Sequence, residues 1–453
     1  MQNYKGKIEM NIIIAGAGQV GIHLAKLLSR EVSDILLLDT DKNKLKIPAD
    51  KYDFMTYEGD PGQPGVLQDI GIDNCKLFIA VTPHESLNIT SCILASSLGA
   101  KKTVARVCKE SYLLPKNKDI FKNVGVDELI YPDQLAAQEI VTALKNPWAW
   151  QIEEFKGGLL KLAAIRVREN ASILNIPLEY ISEDNPFFHI VTIKRAGKTF
   201  IPSGTDNVIA GDIIYVTYLP KDEIKLKEIC GKEEHKVRNL MIAGATDIAQ
   251  LTVKASMGNF NVTILDHDAK RIANLTRKLD NTLIINADPR YQEVLKEEDI
   301  KDMDAFVALA DSAEENILTC KTANDLGVKK TIVEVENIDY IQMAENLDMG
   351  TVINKKFVTA SQIYHSLLKH KAIKVKCLTY ADAEVVEIEA KQGSKVTRKT
   401  VRNLKLPTDI RLGGLIREGK PILIHGDTQI LPNDTVIVFI QGASFSKINK
   451  YFA

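Results

Sequence analysis

Cysteine is scarce in this chain, and its arrangement excludes more than its number does. Six cysteines among 453 residues (Cys75, Cys92, Cys108, Cys230, Cys320 and Cys377) form no C-x-x-C pair and no regular framework. A disulfide scaffold and a cysteine-ligated zinc module are both out, and reduced core thiols are expected. The eight histidines are equally dispersed; His365 and His370 lie too far round a helix to ligate one ion, so no metal is expected. Neither sign of charge is in excess: 58 Lys and Arg stand against 59 Asp and Glu, a net charge of −1. That leaves no electrostatic case for nucleic acid or for an anionic bilayer. Long apolar runs are lacking too, since nothing approaches the roughly 18–20 residues that span a membrane. With no apolar signal core at the N-terminus, the expectation is a cytoplasmic protein. Residues 1–9 precede the first strand and read as a disordered extension.

Glycine, by contrast, stands where it carries information. The run Asn11-Ile12-Ile13-Ile14-Ala15-Gly16-Ala17-Gly18-Gln19-Val20-Gly21 takes an apolar strand straight into a Gly-x-Gly-x-x-Gly turn. Gly16 permits the tight turn, Gly18 lets backbone amides approach a pyrophosphate, and Gly21 allows close helix–strand packing. The phosphates would then sit at the N-terminus of a helix expected over 20–30. A second strand, Ile35 to Leu38, ends in Asp39, roughly 20 residues on, where an acceptor for ribose hydroxyls belongs. Asp39 repels a 2′-phosphate and so favours NAD(H) or an adenine nucleotide over NADP(H), although Lys42 and Lys44 blur that preference.

The chain repeats itself. Asn239-Leu240-Met241-Ile242-Ala243-Gly244-Ala245-Thr246-Asp247-Ile248-Ala249 restates the opening motif, and the strand ending in Asp266 restates the one ending in Asp39. Glu58-Gly59-Asp60-Pro61 returns as Asn286-Ala287-Asp288-Pro289, Thr82 through Asn88 as Ala310 through Asn316, and Leu98-Gly99 as Leu326-Gly327. Each copy alternates short β-rich runs with amphipathic helical runs, which specifies parallel βαβ units and an α/β, Rossmann-like, doubly wound sheet. Strand ends are expected near Ala15, Asp39, Tyr57, Thr82 and Val107. In such sheets the ligand lies outside the carboxyl ends of the strands, which places Thr82, Pro83 and Arg106 on the rim of the glycine turn. Arg106 is suited to a phosphate there.

A smaller repeat follows each sheet. Arg195-Ala196-Gly197-Lys198 with Ala210-Gly211-Asp212 recurs as Arg417-Glu418-Gly419-Lys420 with Pro432-Asn433-Asp434, a small α+β unit of short strands and Gly/Asp turns. The expected domains are 10–147, 151–231, 237–371 and 372–453. Trp148 and Trp150 at the first junction are expected to pack between modules, and residues 231–236 form a polar linker.

These residues together carry a family resemblance: Gly16 to Gly21, Asp39, Gly59-Asp60, Thr82 to Asn88, Ala105-Arg106 and Gly125-Val126-Asp127 through Pro132, recurring with a small module after each copy. The chain resembles the tandem RCK (KTN) regulatory subunits of Trk-type potassium uptake systems, over essentially its whole length. The resemblance implies RCK N-terminal and C-terminal modules in alternation, NAD(H) as ligand with ATP or ADP as alternatives, and a cytoplasmic subunit on the inner face of the membrane. It also implies a homo-oligomeric, tetrameric ring beneath a Trk-type membrane potassium channel subunit. Carried over position by position, its NAD(H)-binding residues fall on Gly16, Ala17, Gly18, Gln19, Val20, Asp39, Thr82, Pro83 and Arg106. In the second half they fall on Gly244, Ala245, Thr246, Asp247, Ile248 and Asp266.

The second half departs from this pattern: Thr246 replaces Gly18, Ala249 replaces Gly21, Asp247 adds a carboxylate, and Glu334 replaces Arg106. A side chain at 246 obstructs close backbone approach, and both acids repel phosphate, so a degenerate second site is expected. Asp133, after Pro132, is a lone carboxylate and a thin case for a cation. Three functions remain in view. A nucleotide-gated regulatory subunit needs no catalytic group and leads. An NAD-dependent oxidoreductase needs a proton-transferring group near the nicotinamide, for which a lone loop His84 is a weak candidate. A scaffold would leave both pockets empty. No catalytic residue is assigned.

Overall fold

The computed structural model describes residues 12–29, 34–52, 54–184, 186–280, 282–368, 372–442 and 445–452; the N-terminal extension and His370 lie outside the described residues. Contacts group the chain into two compact units. The first holds the first parallel sheet together with residues 356–368, and the second holds residues 136–355 and 372–442. The sequence division at 371 thus falls after a helix, Lys355–Leu368, whose contacts from residue 356 onward lie with the first sheet.

In the first unit the strands are β1 (Ile12–Ala15), β2 (Ile35–Asp39), β3 (Met55–Glu58), β4 (Leu77–Ala80), β5 (Thr103–Arg106) and β6 (Glu128–Ile130). They pair in parallel in the order β3-β2-β1-β4-β5-β6. The strand ends thus fall within two residues of the expected ones. Ile12, Ile13, Ile14 and Ala15 are buried on both faces, as a central parallel strand covered by helices must be. The order reverses between β1 and β4, the switch point at which such sheets hold ligands.

The second unit contains the repeat of that sheet. Strands Asn239–Ala243, Asn261–Asp266, Leu283–Asn286, Ala305–Ala308, Lys330–Glu334 and Thr351–Ile353 take the same order. It also contains both small modules, each a five-stranded antiparallel sheet of one topology. Strands Gln151–Phe155, Leu160–Arg166, Phe188–Arg195, Lys198–Phe200 and Ile213–Tyr218 build the first. Lys374–Cys377, Glu384–Glu389, Ile410–Arg417, Lys420–Leu423 and Thr435–Ile440 build the second. The two Rossmann-like sheets and two small modules are therefore as the repeats specify.

The small-module repeat has a physical cause. Arg195 donates through Nε and Nη2 to the two oxygens of Asp212 at 2.9 and 2.7 Å, and Nη2 also reaches Asn207 O at 2.7 Å. Arg417 does the same to Asp434 at 2.9 and 2.7 Å and to Gln429 O at 2.8 Å. Both aspartates are buried, and a fork of this kind leaves neither charge unpaired. Trp148 and Trp150 are buried as well: Trp148 meets Tyr218 edge-on at 5.9 Å and Trp150 meets Tyr380 at 5.1 Å. The six cysteines are all reduced, and all but Cys108 are buried.

Candidate functional site

The first-half site is assembled at the switch point. Gly16 has φ +111°, and a Cβ there would stand 3.0 Å from Thr82 N and 3.1 Å from Val81 C, so only glycine lets the turn pass beneath the end of β4. A Cβ on Gly21 would stand 1.9 Å from Gly16 O, which is how the third glycine seats the helix Gln19–Leu28 against the turn. Gly18 is different, because nothing lies within 4 Å of where its Cβ would be. It is also the N-cap and brings no side chain to the helix. The first helical amides therefore face an open mouth with the positive end of the helix dipole behind them. Gly16 and Ala17 are buried, Gly18 and Gln19 are exposed, and Val20 is half-buried.

Asp39 closes one side. Its Oδ2 accepts from Ala17 N at 2.7 Å and its Oδ1 from Asp41 N at 2.9 Å. The carboxylate expected to meet ribose hydroxyls thus also braces the glycine turn against β2, and each oxygen keeps a further lone pair for a ligand. On the other side Thr82 is buried while Pro83 and His84 are exposed. His84 caps the helix Glu85–Ser97 through its backbone, its N–H donating to Thr82 Oγ1 at 3.2 Å.

The residue that organises this rim is one the sequence marked as the end of a repeated motif but not as a site residue. Asn88 Oδ1 accepts from Thr82 N at 2.9 Å and from Thr82 Oγ1 at 2.7 Å, while its Nδ2 donates to Thr82 O at 3.0 Å and to Arg106 O at 2.9 Å. One fully buried amide thereby ties the ends of β4 and β5 together. Its signal was the invariance of Asn between the two copies, for which a buried polar network is the physical reason. Arg106, at the end of β5, is half-buried and its Nε is buried without a hydrogen-bond partner, a donor left over for a ligand. Burial pushes the neighbouring Cys108 thiol up, with Arg106 acting in the opposite direction. Asp39, Thr82 and Arg106 thus stand at the carboxyl ends of β2, β4 and β5, on the same edge of the sheet as the open turn at Gly18.

In the second half the same frame is built and then filled. Asp266 is 3% exposed and accepts from Ala245 N at 2.7 Å and Asp268 N at 2.8 Å. Asn316 repeats Asn88, bonding Ala310 N, Ala310 O and Glu334 O at 2.7, 2.9 and 3.1 Å. Gly244 keeps φ +108°. Thr246, however, caps its own helix by accepting from Ala249 N at 3.4 Å, so an amide that stands open at Gly18's helix is covered here. Ala249 cannot sit as Gly21 does, given the 1.9 Å approach a methyl would make there. Asp247 is exposed and Ile248 buried. Where Arg106 offers a free donor, Glu334 is buried and paired with Lys355 at 2.9 Å, and Lys355 also meets Glu336 at 2.9 Å.

The small modules line an open pocket of about 620 Å³. Its lining includes Arg402, Lys405, Arg411, His189 and His425, with Glu179 the opposing acid. Arg411 is held by its guanidinium to Pro202 O, and its Nε is buried without a partner. Burial, then the charge of Arg411, pushes the His189 imidazole down to about 4, so it is neutral at pH 7; its Nδ1 shares a 3.0 Å hydrogen bond with Ile424 O. Among the described residues no group of three His, Cys, Asp or Glu side chains could hold a metal, and no helix is long and apolar enough to cross a membrane.

Comparison with known proteins agrees with this architecture. The TrkA-N domain model matches residues 12–132 and again 240–355, and the TrkA-C domain model matches 385–453. The chain is 30% identical to the Trk system potassium uptake protein TrkA of Haemophilus influenzae, covering 98% of each chain. It is 28% identical to that of Halomonas elongata over 95% of this chain and 96% of the relative. Among solved structures it superposes on the GsuK RCK domain with a TM-score of 0.61 at 11% identity, covering 98% of this chain and 95% of that one. It superposes on the GsuK channel bound to NAD with a TM-score of 0.60 at 11% identity, covering 98% and 78%. With both sheets and the second small module matched by its domain models, the chain belongs to the TrkA family.

Proposed function

We propose that this chain is the regulatory subunit of a Trk-type potassium transport system, and that NAD(H) or an adenine nucleotide bound at the first sheet sets the state of its membrane partner. One observation carries the reading: the open, uncapped turn at Gly18, on one edge of the sheet with Asp39, Thr82 and the unpartnered donor of Arg106, is a set of groups that suits ribose and phosphate. The names of the TrkA relatives and the NAD-bound GsuK channel support the choice of system and ligand class. A ligand that binds one arrangement of the modules better than another shifts the population toward it, and no catalytic group is needed for that. The partner is a Trk-type membrane potassium channel subunit, engaged from the cytoplasmic face by a tetrameric ring of this chain. The basic pocket between the small modules offers a second, anionic effector a place.

Calorimetric titration of the full chain with NADH, NAD, ATP and ADP, repeated on Asp39→Ala and Asp266→Ala, tests the reading. Binding lost in the first variant and kept in the second is the expected result. Binding to neither wild type nor variant, or loss only with Asp266→Ala, overturns it. Consumption of NADH with a small carbonyl substrate would move the assignment to an oxidoreductase.

A further inference from the structure

We propose that Lys356, which follows the second sheet in sequence, is a phosphate-contacting residue of the first-half nucleotide site; this rests on the nucleotide reading above. Lys356 is 7% exposed, and its Nζ donates to Gln19 Oε1. Gln19 is the first residue of the helix that begins at Gly18, on whose open side a phosphate would lie. The lysine is therefore fixed beside the phosphate position by an element that no reading of the glycine motif would include.

Its placement is held from both ends of the helix Lys355–Leu368. Phe357 packs edge-on against His23 at 4.6 Å and 72°. Further along, Lys102 Nζ donates to Ser366 O at 3.0 Å and to Ser366 Oγ at 2.5 Å, and Ser366 Oγ in turn reaches Glu128. The ammonium cannot wander into solvent, so it meets any anion at the turn already desolvated. Gln19 offers it a neutral amide oxygen, whereas a phosphate oxygen brings a full opposite charge and so the stronger attraction for an ammonium. A bound nucleotide thus draws Lys356 from Gln19, and the site becomes a two-cation clamp of Arg106 and Lys356 around the helix amides. Because the helix directly continues the strand Thr351–Ile353, a phosphate at the first sheet acts on a segment covalently joined to the second.

The test titrates the full chain with ADP and with adenosine, comparing wild type, Lys356→Met and Lys356→Arg. Loss of one charge-assisted bond predicts that Lys356→Met weakens ADP by about tenfold or more while adenosine is unchanged, and that Lys356→Arg retains most of the ADP affinity. Equal ADP affinity in wild type and Lys356→Met overturns the proposal with the nucleotide reading intact. Failure of wild type to bind ADP or NADH removes both, a distinct result. Should Lys356→Met not fold by circular dichroism, the phosphorus resonances of ADP bound to Lys356→Arg decide: a displacement from their wild-type positions is expected, and identical spectra overturn the proposal.

Discussion

The two parallel sheets share strand order, a positive-φ glycine at the turn and a buried asparagine that ties two strand ends, yet they present opposite chemistry to solvent. The first leaves donors open at Gly18 and Arg106. The second covers or cancels the corresponding groups with Thr246, Ala249 and the Glu334–Lys355 pair. What the repeats hold in common is what the fold requires, and what differs is what a phosphate would touch. A duplicated domain thus separates framework from ligand chemistry within one chain.

The largest expected effect separates the two aspartates. Asp39→Ala removes a ribose acceptor and the brace on Ala17 N, two charge-assisted hydrogen bonds of about 1.5–3 kcal/mol each, so nucleotide affinity should fall by at least about a hundredfold. Asp266→Ala should leave calorimetric binding untouched and lower only the thermal midpoint. Next come the paired asparagines. Asn88→Ala and Asn316→Ala each strip several buried backbone partners, costing about 2–3 kcal/mol of stability by denaturant titration; Asn88→Ala alone should also weaken nucleotide binding. Equal effects on binding would erase the distinction between the halves.

Arg106→Glu writes the second half's residue into the first. ADP affinity should drop by about ten- to a hundredfold while adenosine affinity barely moves, since only the phosphate loses a partner. The converse change, Thr246→Gly with Ala249→Gly, should open the second turn and yield a weak additional heat of adenosine binding. Its cost in stability is about 1–2 kcal/mol from the lost cap and the helical glycine.

The comparison that bears least on binding concerns the lysines at corresponding positions, Lys102 just before β5 and Lys330 at the start of its strand. Lys102 is partly exposed and lies 3.7 Å from Glu128. Lys330 is buried, donates to Ala149 O and Thr351 Oγ1 at 2.8 Å each, and is pushed down from 10.5 to about 7 by burial, with the charge of Lys232 adding to it. Between those values the unfolded chain binds a proton that the folded chain does not, so stability of the second unit should rise as pH climbs from about 7 to 10. Lys330→Met should flatten that rise. Thermal melts across this range should show the midpoint of the wild type climbing relative to that of Lys330→Met, and equal slopes would reject the assignment.

The alternation of apolar runs with glycine turns, and its recurrence, determined the two sheets, the small modules and their order, because side-chain periodicity and short βαβ connections leave few other topologies. The placing of Asp39, Thr82 and Arg106 on one rim was legible too, since parallel strands bring their carboxyl ends to a single edge. Three features were not. Asn88 makes its contacts through a strand-end geometry that sequence spacing does not encode. The Arg195–Asp212 and Arg417–Asp434 forks were visible as repeated letters, but their bonds exist only once antiparallel strands bring distant residues side by side. The contact of Lys356 with Gln19 was invisible, because the two are more than three hundred positions apart and only the packing of the helix Lys355–Leu368 joins them. Local sequence thus determined the elements and the open glycine turn. Tertiary structure decided which charges surround that turn, because burial and long-range packing choose the partners of a polar group.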